Sequence, residues 1–269
     1  MDRQYIFSKF TPSLRKHDYG KNVKLLDDPY LLSLVVKLSS REVDQPMLNS
    51  ILKAAYGYML GPVLNNELPV QESWSKTKMY THTKKAVFHG RTFDENTKFV
   101  ITNLIRAGII PSLTLYNNLF QLFNPKTIRL DNIFISRVTN KSGKVTGANI
   151  AGAKTGDSIQ NVYLLIPDPM GATGSSLVKV LNLYRMMKGE PKKIIIMGLI
   201  ITPEYLKTVR RHFPEVIIYS VRLDRGLSPE DVLNEIPGKN WNREKGLNKE
   251  GYIIPGAGGL GEIINNTTF

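Results

Sequence analysis

The chain has 269 residues, 42% hydrophobic and 22% charged, with no cysteine, which suits one soluble domain with a full core and excludes disulfides and thiolate chemistry. Its formal net charge of +13 concentrates anionic partners near the surface. The basic residues are spread in pairs such as Lys84-Lys85, Lys192-Lys193 and Arg210-Arg211, without interleaved aromatics, so a sugar phosphate suits this charge better than nucleic acid.

Residues 1–30 are polar and basic and read as an extension, with 31–269 as a single domain. The opening Met1-Asp2-Arg3-Gln4 lacks the charged-then-apolar order of a secretory signal, and apolar runs such as 194–197 are too short to span a bilayer, so the expected setting is the cytoplasm. After Ser39-Ser40-Arg41-Glu42 and Pro46, the set Met47, Leu48, Ile51, Leu52, Ala55, Tyr58 and Met59 predicts an amphipathic helix. Residues 62–97 hold Pro62, Pro69 and a basic stretch with His82 and His89. Neither histidine has a partner at metal-ligand spacing, so both, like His17 and His212, read as surface or packing residues.

The run 99–105 predicts a buried strand that ends in Arg106-Ala107-Gly108, followed by a helix through Leu113, Leu115, Leu119, Phe120 and Leu122. The run 133–137 predicts another strand, closing on Arg137. An arginine at the carboxyl end of a parallel strand lies where α/β sheets bind ligands, and its fork of donors matches phosphate oxygens. Residues 140–160 are rich in Gly, Lys, Asn and Ser and predict a mobile hairpin or flap over the site. Further strands are expected at 162–166, 193–201 and 215–223, with a helix at 203–212 between the last two. This alternation predicts an α/β fold, a Rossmann-like parallel sheet with flanking helices. Ser228-Pro229-Glu230-Asp231 reads as a helix start, so residues 228–245 are expected to be folded.

The most informative stretch begins where the strand at 162–166 stops, at Pro167-Asp168-Pro169-Met170-Gly171-Ala172-Thr173-Gly174-Ser175-Ser176. The prolines end the strand, and the small residues allow a sharp turn that aims several backbone N–H groups at one point. The spacing of Leu177, Val180, Leu181, Leu183 and Tyr184 predicts a helix starting there, with Ser175 or Ser176 as its cap. Amides and the positive end of the helix dipole suit a phosphate. The carboxylate of Asp168 would repel phosphate but accepts hydrogen bonds from vicinal hydroxyls. Together they describe a ribose phosphate, the alternative being an ordinary βα turn in which Asp168 only caps the helix.

The turn from Asp168 to Ser176 resembles the signature D-P-M-L-A-T-G-G-S of the uracil phosphoribosyltransferases, and Gly251-Tyr252-Ile253-Ile254-Pro255-Gly256-Ala257-Gly258 resembles that family's uracil loop, G-Y-I-x-P-G-x-G. The segment around Arg106 is similar to its P-I-L-R-A-G-L turn, and Thr202-Pro203-Glu204 and His212-Phe213-Pro214-Glu215-Val216 are similar to its A-P-E and H-P-[DE]-V elements. The resemblance implies a type I phosphoribosyltransferase core at about 95–224, a small hood from 31–75 and 225–269, and a flap at 138–160. It implies conversion of uracil and phosphoribosyl pyrophosphate (PRPP) to UMP, with magnesium carried on PRPP and a homodimer or higher homo-oligomer as the assembly. Arg106, Arg137 and Asp168 would be the catalytic set. Those three, with Ala172, Thr173, Gly174, Ser175 and Ser176, would bind PRPP, while Met170, Ala172, Tyr252, Ile253, Gly258 and Leu260 would form the uracil site.

The sequence departs from this pattern in three places. The family's loop continues P-G-x-G-D-x-G-D, whereas here Gly259 and Glu262 stand at the acidic positions. No acidic pair follows Arg137, and residues 228–245 separate Asp224-Arg225-Gly226-Leu227 from the loop that this motif normally enters directly. These departures would also suit a catalytically impaired relative that binds PRPP or a nucleotide in a regulatory role.

Overall fold

The computed structural model describes residues 4–7, 10–139 and 145–264. A single turn, α1 (Gln4–Phe7), precedes strand β1 (Val23–Leu25) and two helices, α2 (Pro29–Leu38) and α3 (Gln45–Glu67). An antiparallel pair, β2 (Val70–Lys76) and β3 (Val87–Phe93), stands apart from the main sheet. The chain then enters the sheet through β4 (Phe99–Ile105), α4 (Ile109–Leu119), β5 (Ile128–Thr139) and β6 (Val145–Lys154). The second half follows as β7 (Tyr163–Pro167), β8 (Met170–Gly171), α5 (Ser175–Arg185), β9 (Lys193–Ile201), α6 (Pro203–His212) and β10 (Ile217–Leu223). Two short helices, α7 (Glu230–Leu233) and α8 (Leu260–Ile264), complete the described chain.

The sheet runs in the order β1-β10-β9-β7-β4-β5-β6, with β8 pairing β9 beyond β7. All pairs are parallel except β5 with β6. This is the expected α/β architecture, and its cause is legible in the strands: β4 and β7 are almost wholly apolar and almost wholly buried because helices cover both faces. Alternation divides them cleanly. Phe99, Ile101 and Leu165 face the core made with α2, α3 and α4, while Val100, Leu104, Leu164 and Ile166 face α5 and α6.

β4 and β7 are neighbours, yet the chain leaves β4 for β5 on one side and returns to β7 on the other. This reversal opens a crevice at their carboxyl ends, where open α/β sheets bind ligands. Arg106 follows β4 directly, and Asp168 follows β7.

Several expectations are corrected. α3 starts with Asp44 as cap and not at Ser39-Ser40, and it continues through Pro62 to Glu67. Burial of Val63 and Leu64 beyond the proline offsets the roughly 3 kcal/mol that a proline costs inside a helix. Met47 and Tyr58, expected on its apolar face, are exposed. The polar region after it contains the β2–β3 hairpin, for which the sequence offers no strand signal. Residues 1–30 are more than an extension, because β1 is an edge strand paired with β10 and Tyr19 is buried beside it. Of the expected flap, the described part lies in the antiparallel pair β5–β6 and the residues that follow it, and residues 140–144 lie outside the described residues.

Residues 228–245 are folded as expected. Arg225 pairs with fully buried Glu244 at 3.0 Å, Gly238 N donates to the same carboxylate at 2.8 Å, and the Tyr19 hydroxyl donates to it as well. The Trp241 indole donates to Pro203 O at 3.0 Å and meets the Tyr19 ring edge-on.

Candidate active site

Strand β7 ends at Pro167, and the next amide, Asp168 N, still reaches across to Met197 O at 3.0 Å. That bond fixes the half-buried Asp168 at the lip of the crevice, where its Oδ1 also accepts from Met170 N at 3.4 Å. Tyr56 and Tyr205 lie beneath it. Burial pushes both phenols well above their ordinary pKa, and the negative charge of Asp168 adds to the effect. Both phenols therefore stay neutral at any working pH, and Tyr56 donates to Met197 O at 3.0 Å.

Beyond Asp168 the chain turns under constraints that require glycine. A Cβ on Gly171 would lie 2.9 Å from the Tyr205 ring. Gly174 has φ +78° and caps α5 with no side-chain hydrogen bond. The cap is therefore Gly174, not Ser175 or Ser176, because the entry to the helix is left-handed and an L side chain is strained there. The serines fall in the first turn, where the Ser175 hydroxyl lies 2.8 Å from Thr173 Oγ1. Thr202 braces the turn from β9, donating to Ala172 O at 2.6 Å. The result is a cleft of about 410 Å³, open solvent included, lined by Asp168, Thr173, Gly174, Ser175 and Ser176, with Gly251 at its side. A helix start of this kind suits an anion such as phosphate.

The neighbouring turn carries Arg106. Gly108 N bonds Leu104 O at 2.7 Å, and a Cβ at 108 would collide with the Leu104 backbone, so only glycine closes this loop. The Ile105–Arg106 peptide is cis. The Arg106 guanidinium extends to Glu262 of α8, with Nη2 to Oε1 at 3.7 Å. Arg137 lies in β5 opposite Ala148, and its side chain lies outside the described residues.

Loop 246–258 reaches the cleft through Gly251. It is held by two acids that lie one to three residues past sheet strands. Glu204, after β9, accepts from Gly246 N at 3.0 Å and Leu247 N at 3.2 Å. Asp224, after β10, is 2% exposed and accepts from Arg222 at 2.6 and 2.8 Å and from Gly256 N at 2.8 Å. Arg222 Nη2 in turn donates to Gly256 O at 2.9 Å. Within the loop the Ile254–Pro255 peptide is cis, and Gly258 has φ +72° with open space around it. Ile253 and Leu260 are buried in the core, with Met170 and Ala172 packed on the same apolar cluster. Ile253 can therefore meet a ligand only through its backbone, whereas Tyr252 is 55% exposed.

Among the described residues no group of three or more His, Cys, Asp or Glu could hold a metal ion.

A family model described as uracil phosphoribosyltransferase matches residues 25–238. The chain belongs to the uracil phosphoribosyltransferase family. The matched span contains the Asp168 turn and the strand ends bearing Arg106 and Arg137, and it stops ahead of loop 246–258. The chain is 24% identical over 236 residues to a uracil phosphoribosyltransferase of Thermococcus sibiricus, covering 88% of this chain and 86% of that one. A uracil phosphoribosyltransferase of Methanococcus maripaludis is 37% identical over 99 residues, 37% of this chain and 33% of its own. In fold, the AQ2163 protein from Aquifex aeolicus superposes with a TM-score of 0.68 at 21% identity, covering 90% of this chain and 97% of that one.

In this phosphoribosyltransferase core the sequence reading missed the braces: Tyr56, Tyr205, Glu204, Arg222 and Asp224. Glu204 and Asp224 had a signal. Each is an acid one to three residues past a predicted strand, on the edge where ligands bind.

Proposed function

We propose that the chain transfers the phosphoribosyl group of PRPP to N1 of uracil, releasing pyrophosphate and giving UMP. The observation that carries this reading is the placement of Asp168 and Arg106 at the ends of adjacent strands, beside a glycine-capped helix start, with loop 246–258 alongside. In this reading the first turn of α5, with Ala172 to Ser176, holds the 5′-phosphate. Asp168 accepts the ribose hydroxyls. Arg106 and Arg137 neutralise the pyrophosphate, which enters with magnesium on its oxygens. Backbone groups of Ile253 and Gly258 read the uracil edge, while Met170, Ala172 and Leu260 pack on its face and Tyr252 lies at the rim.

Positive charge develops on the ribose as pyrophosphate departs, so the residues act by positioning two reactants and stabilising a leaving anion, effects that are large in a preorganised site. The hood, core and flap division, a homo-oligomeric assembly and a cytoplasmic setting belong to the same proposal.

The deciding experiment mixes the protein with labelled uracil, PRPP and magnesium, and follows UMP by chromatography, with cytosine, hypoxanthine and adenine as competing bases. UMP as the dominant product supports the reading, and a different nucleotide monophosphate reassigns the base. Gly259 favours one second reading, a non-catalytic PRPP-binding relative. Saturable PRPP binding by calorimetry with no product from any base would establish that instead.

A further inference from the structure

The described chain places the Glu262 carboxylate, at the second acidic position of the family's loop pattern, against Arg106. Leu260 and Ile264, one turn apart on α8, are both buried, which fixes the helix and turns Glu262 outward. Ile263 N and Glu262 N both bond Gly259 O, so position 259 and the Glu262 side chain share one turn. A Cβ built on Gly259 would overlap Glu262 Oε2. The Glu262 carboxylate thus occupies the volume that a side chain at 259 would enter, and its other oxygen lies 3.7 Å from Arg106 Nη2. Both side chains are about half exposed, and ion pairs of that kind contribute little to stability. Their juxtaposition at the crevice calls for another explanation.

We propose that Glu262 is a positioning residue for the transfer reaction: it aims the Arg106 guanidinium into the crevice and supplies from position 262 the loop carboxylate that the family's pattern carries at 259. This rests on the reading of Arg106 as the pyrophosphate ligand. Glycine at 259 is then the space a longer acid needs, and not a lost function. Restoring an acid at 259 while Glu262 remains would crowd two like charges into one volume.

The test is a double-mutant cycle in the full chain with Glu262→Ala, Gly259→Asp and the two combined, plus Glu262→Gln. Steady-state kinetics would be read with PRPP and uracil varied separately, and magnesium–PRPP binding by calorimetry. Glu262→Gln and Glu262→Ala should each lower kcat/KM for PRPP by at least about tenfold, with KM for uracil moving less than about twofold. Gly259→Asp alone should also be impaired. Combined with Glu262→Ala it should recover most of the loss, a reversal of sign that a merely structural glutamate does not produce. The inference is overturned if Glu262→Gln behaves as the parent, or if Gly259→Asp harms both backgrounds alike. If the parent binds PRPP but makes no UMP, the calorimetric arm still decides it, through the affinity lost in Glu262→Ala and regained in the double variant. If the parent does not bind PRPP, the inference and the functional reading fall together.

Discussion

Replacing Asp224 by asparagine should loosen the proposed base loop while leaving the phosphate turn intact. Asp224 is 2% exposed, and its two oxygens accept from Arg222 Nε at 2.6 Å, Arg222 Nη2 at 2.8 Å and Gly256 N at 2.8 Å. Asparagine keeps one acceptor and turns an NH2 group toward a donor, so at least one of these bonds becomes a donor–donor contact. Removing one charge of a buried pair costs about 3–5 kcal/mol. Arg222 retains Ser39 Oγ at 3.0 Å and Gly256 O at 2.9 Å, which places the loss near the low end, about 3 kcal/mol. A domain of ordinary stability, about 5–15 kcal/mol, remains folded. Gly256 belongs to the loop, so the uracil site should feel most of the change. KM for uracil should rise at least about tenfold, which takes only about 1.4 kcal/mol of that loss. PRPP affinity should stay within about twofold, because the clamp's bonds run among Arg222, Asp224, Ser39 and the loop residue Gly256. Urea unfolding, uracil kinetics at saturating PRPP and PRPP calorimetry measure the three quantities. An unchanged uracil KM together with a stability loss below about 1 kcal/mol, less than a buried charge pair can cost, would refute the reasoning.

Asp168→Asn keeps the shape of the side chain but weakens charge-assisted bonds worth about 1.5–3 kcal/mol, so kcat/KM for PRPP should fall about 10- to 100-fold with the melting temperature nearly unchanged; parental kinetics would remove Asp168 from the sugar site. Gly174→Ala forces an L residue to φ +78° with its Cβ 3.1 Å from both Thr208 Cβ and Tyr205 O. The left-handed backbone alone costs about 1–2 kcal/mol, and ribose 5-phosphate affinity, read by calorimetry, should drop with it. Glu67 offers a pH test. Burial opposes its ionisation, but hydrogen bonds from Lys193, Tyr219 and Asn66 outweigh that and hold its pKa below the usual 4.5. A depressed carboxylate pKa stabilises the fold above the unfolded value and loses that contribution as pH falls through the folded one. Glu67→Gln should therefore be less stable than the parent at pH 7, and the gap between their urea midpoints should narrow steadily below about pH 4.5.

What the sequence discloses depends on how locally each feature is encoded. β4, β7 and β9 are dominated by apolar, mostly buried residues, and their limits were legible to within a residue. The Asp168 turn was legible for the same reason, since acid, glycines and helix start are consecutive. The β2–β3 hairpin was not, because one of its strands reads VQESWSK, is mostly exposed and lacks the alternation of a half-buried strand. β1 has three residues and exists as a strand only because β10 lies beside it. The clamp on loop 246–258 was hidden most deeply, since Ser39 at the end of α2, Arg222 and Asp224 at the end of β10, and Gly256 meet only in the folded chain.

The segment 228–245 shows how an apparent departure from a family pattern becomes part of the site's support. Arg225, adjacent in sequence to the clamping Asp224, has its guanidinium satisfied almost wholly from that segment, by Glu244 and by the carbonyls of Val232, Leu233 and Glu235. Glu244 is in turn satisfied by Gly238 N and by Tyr19 from the N-terminal region. Removing the segment would strand a largely buried guanidinium with few acceptors next to the clamp, and an uncompensated buried charge costs several kcal/mol. Tyr19, the segment 228–245 and the loop 246–258 are therefore linked in series, through Glu244 to Arg225 and from its chain neighbour Asp224 to Gly256, so changes along this series act on the same loop that the reacting base is proposed to meet.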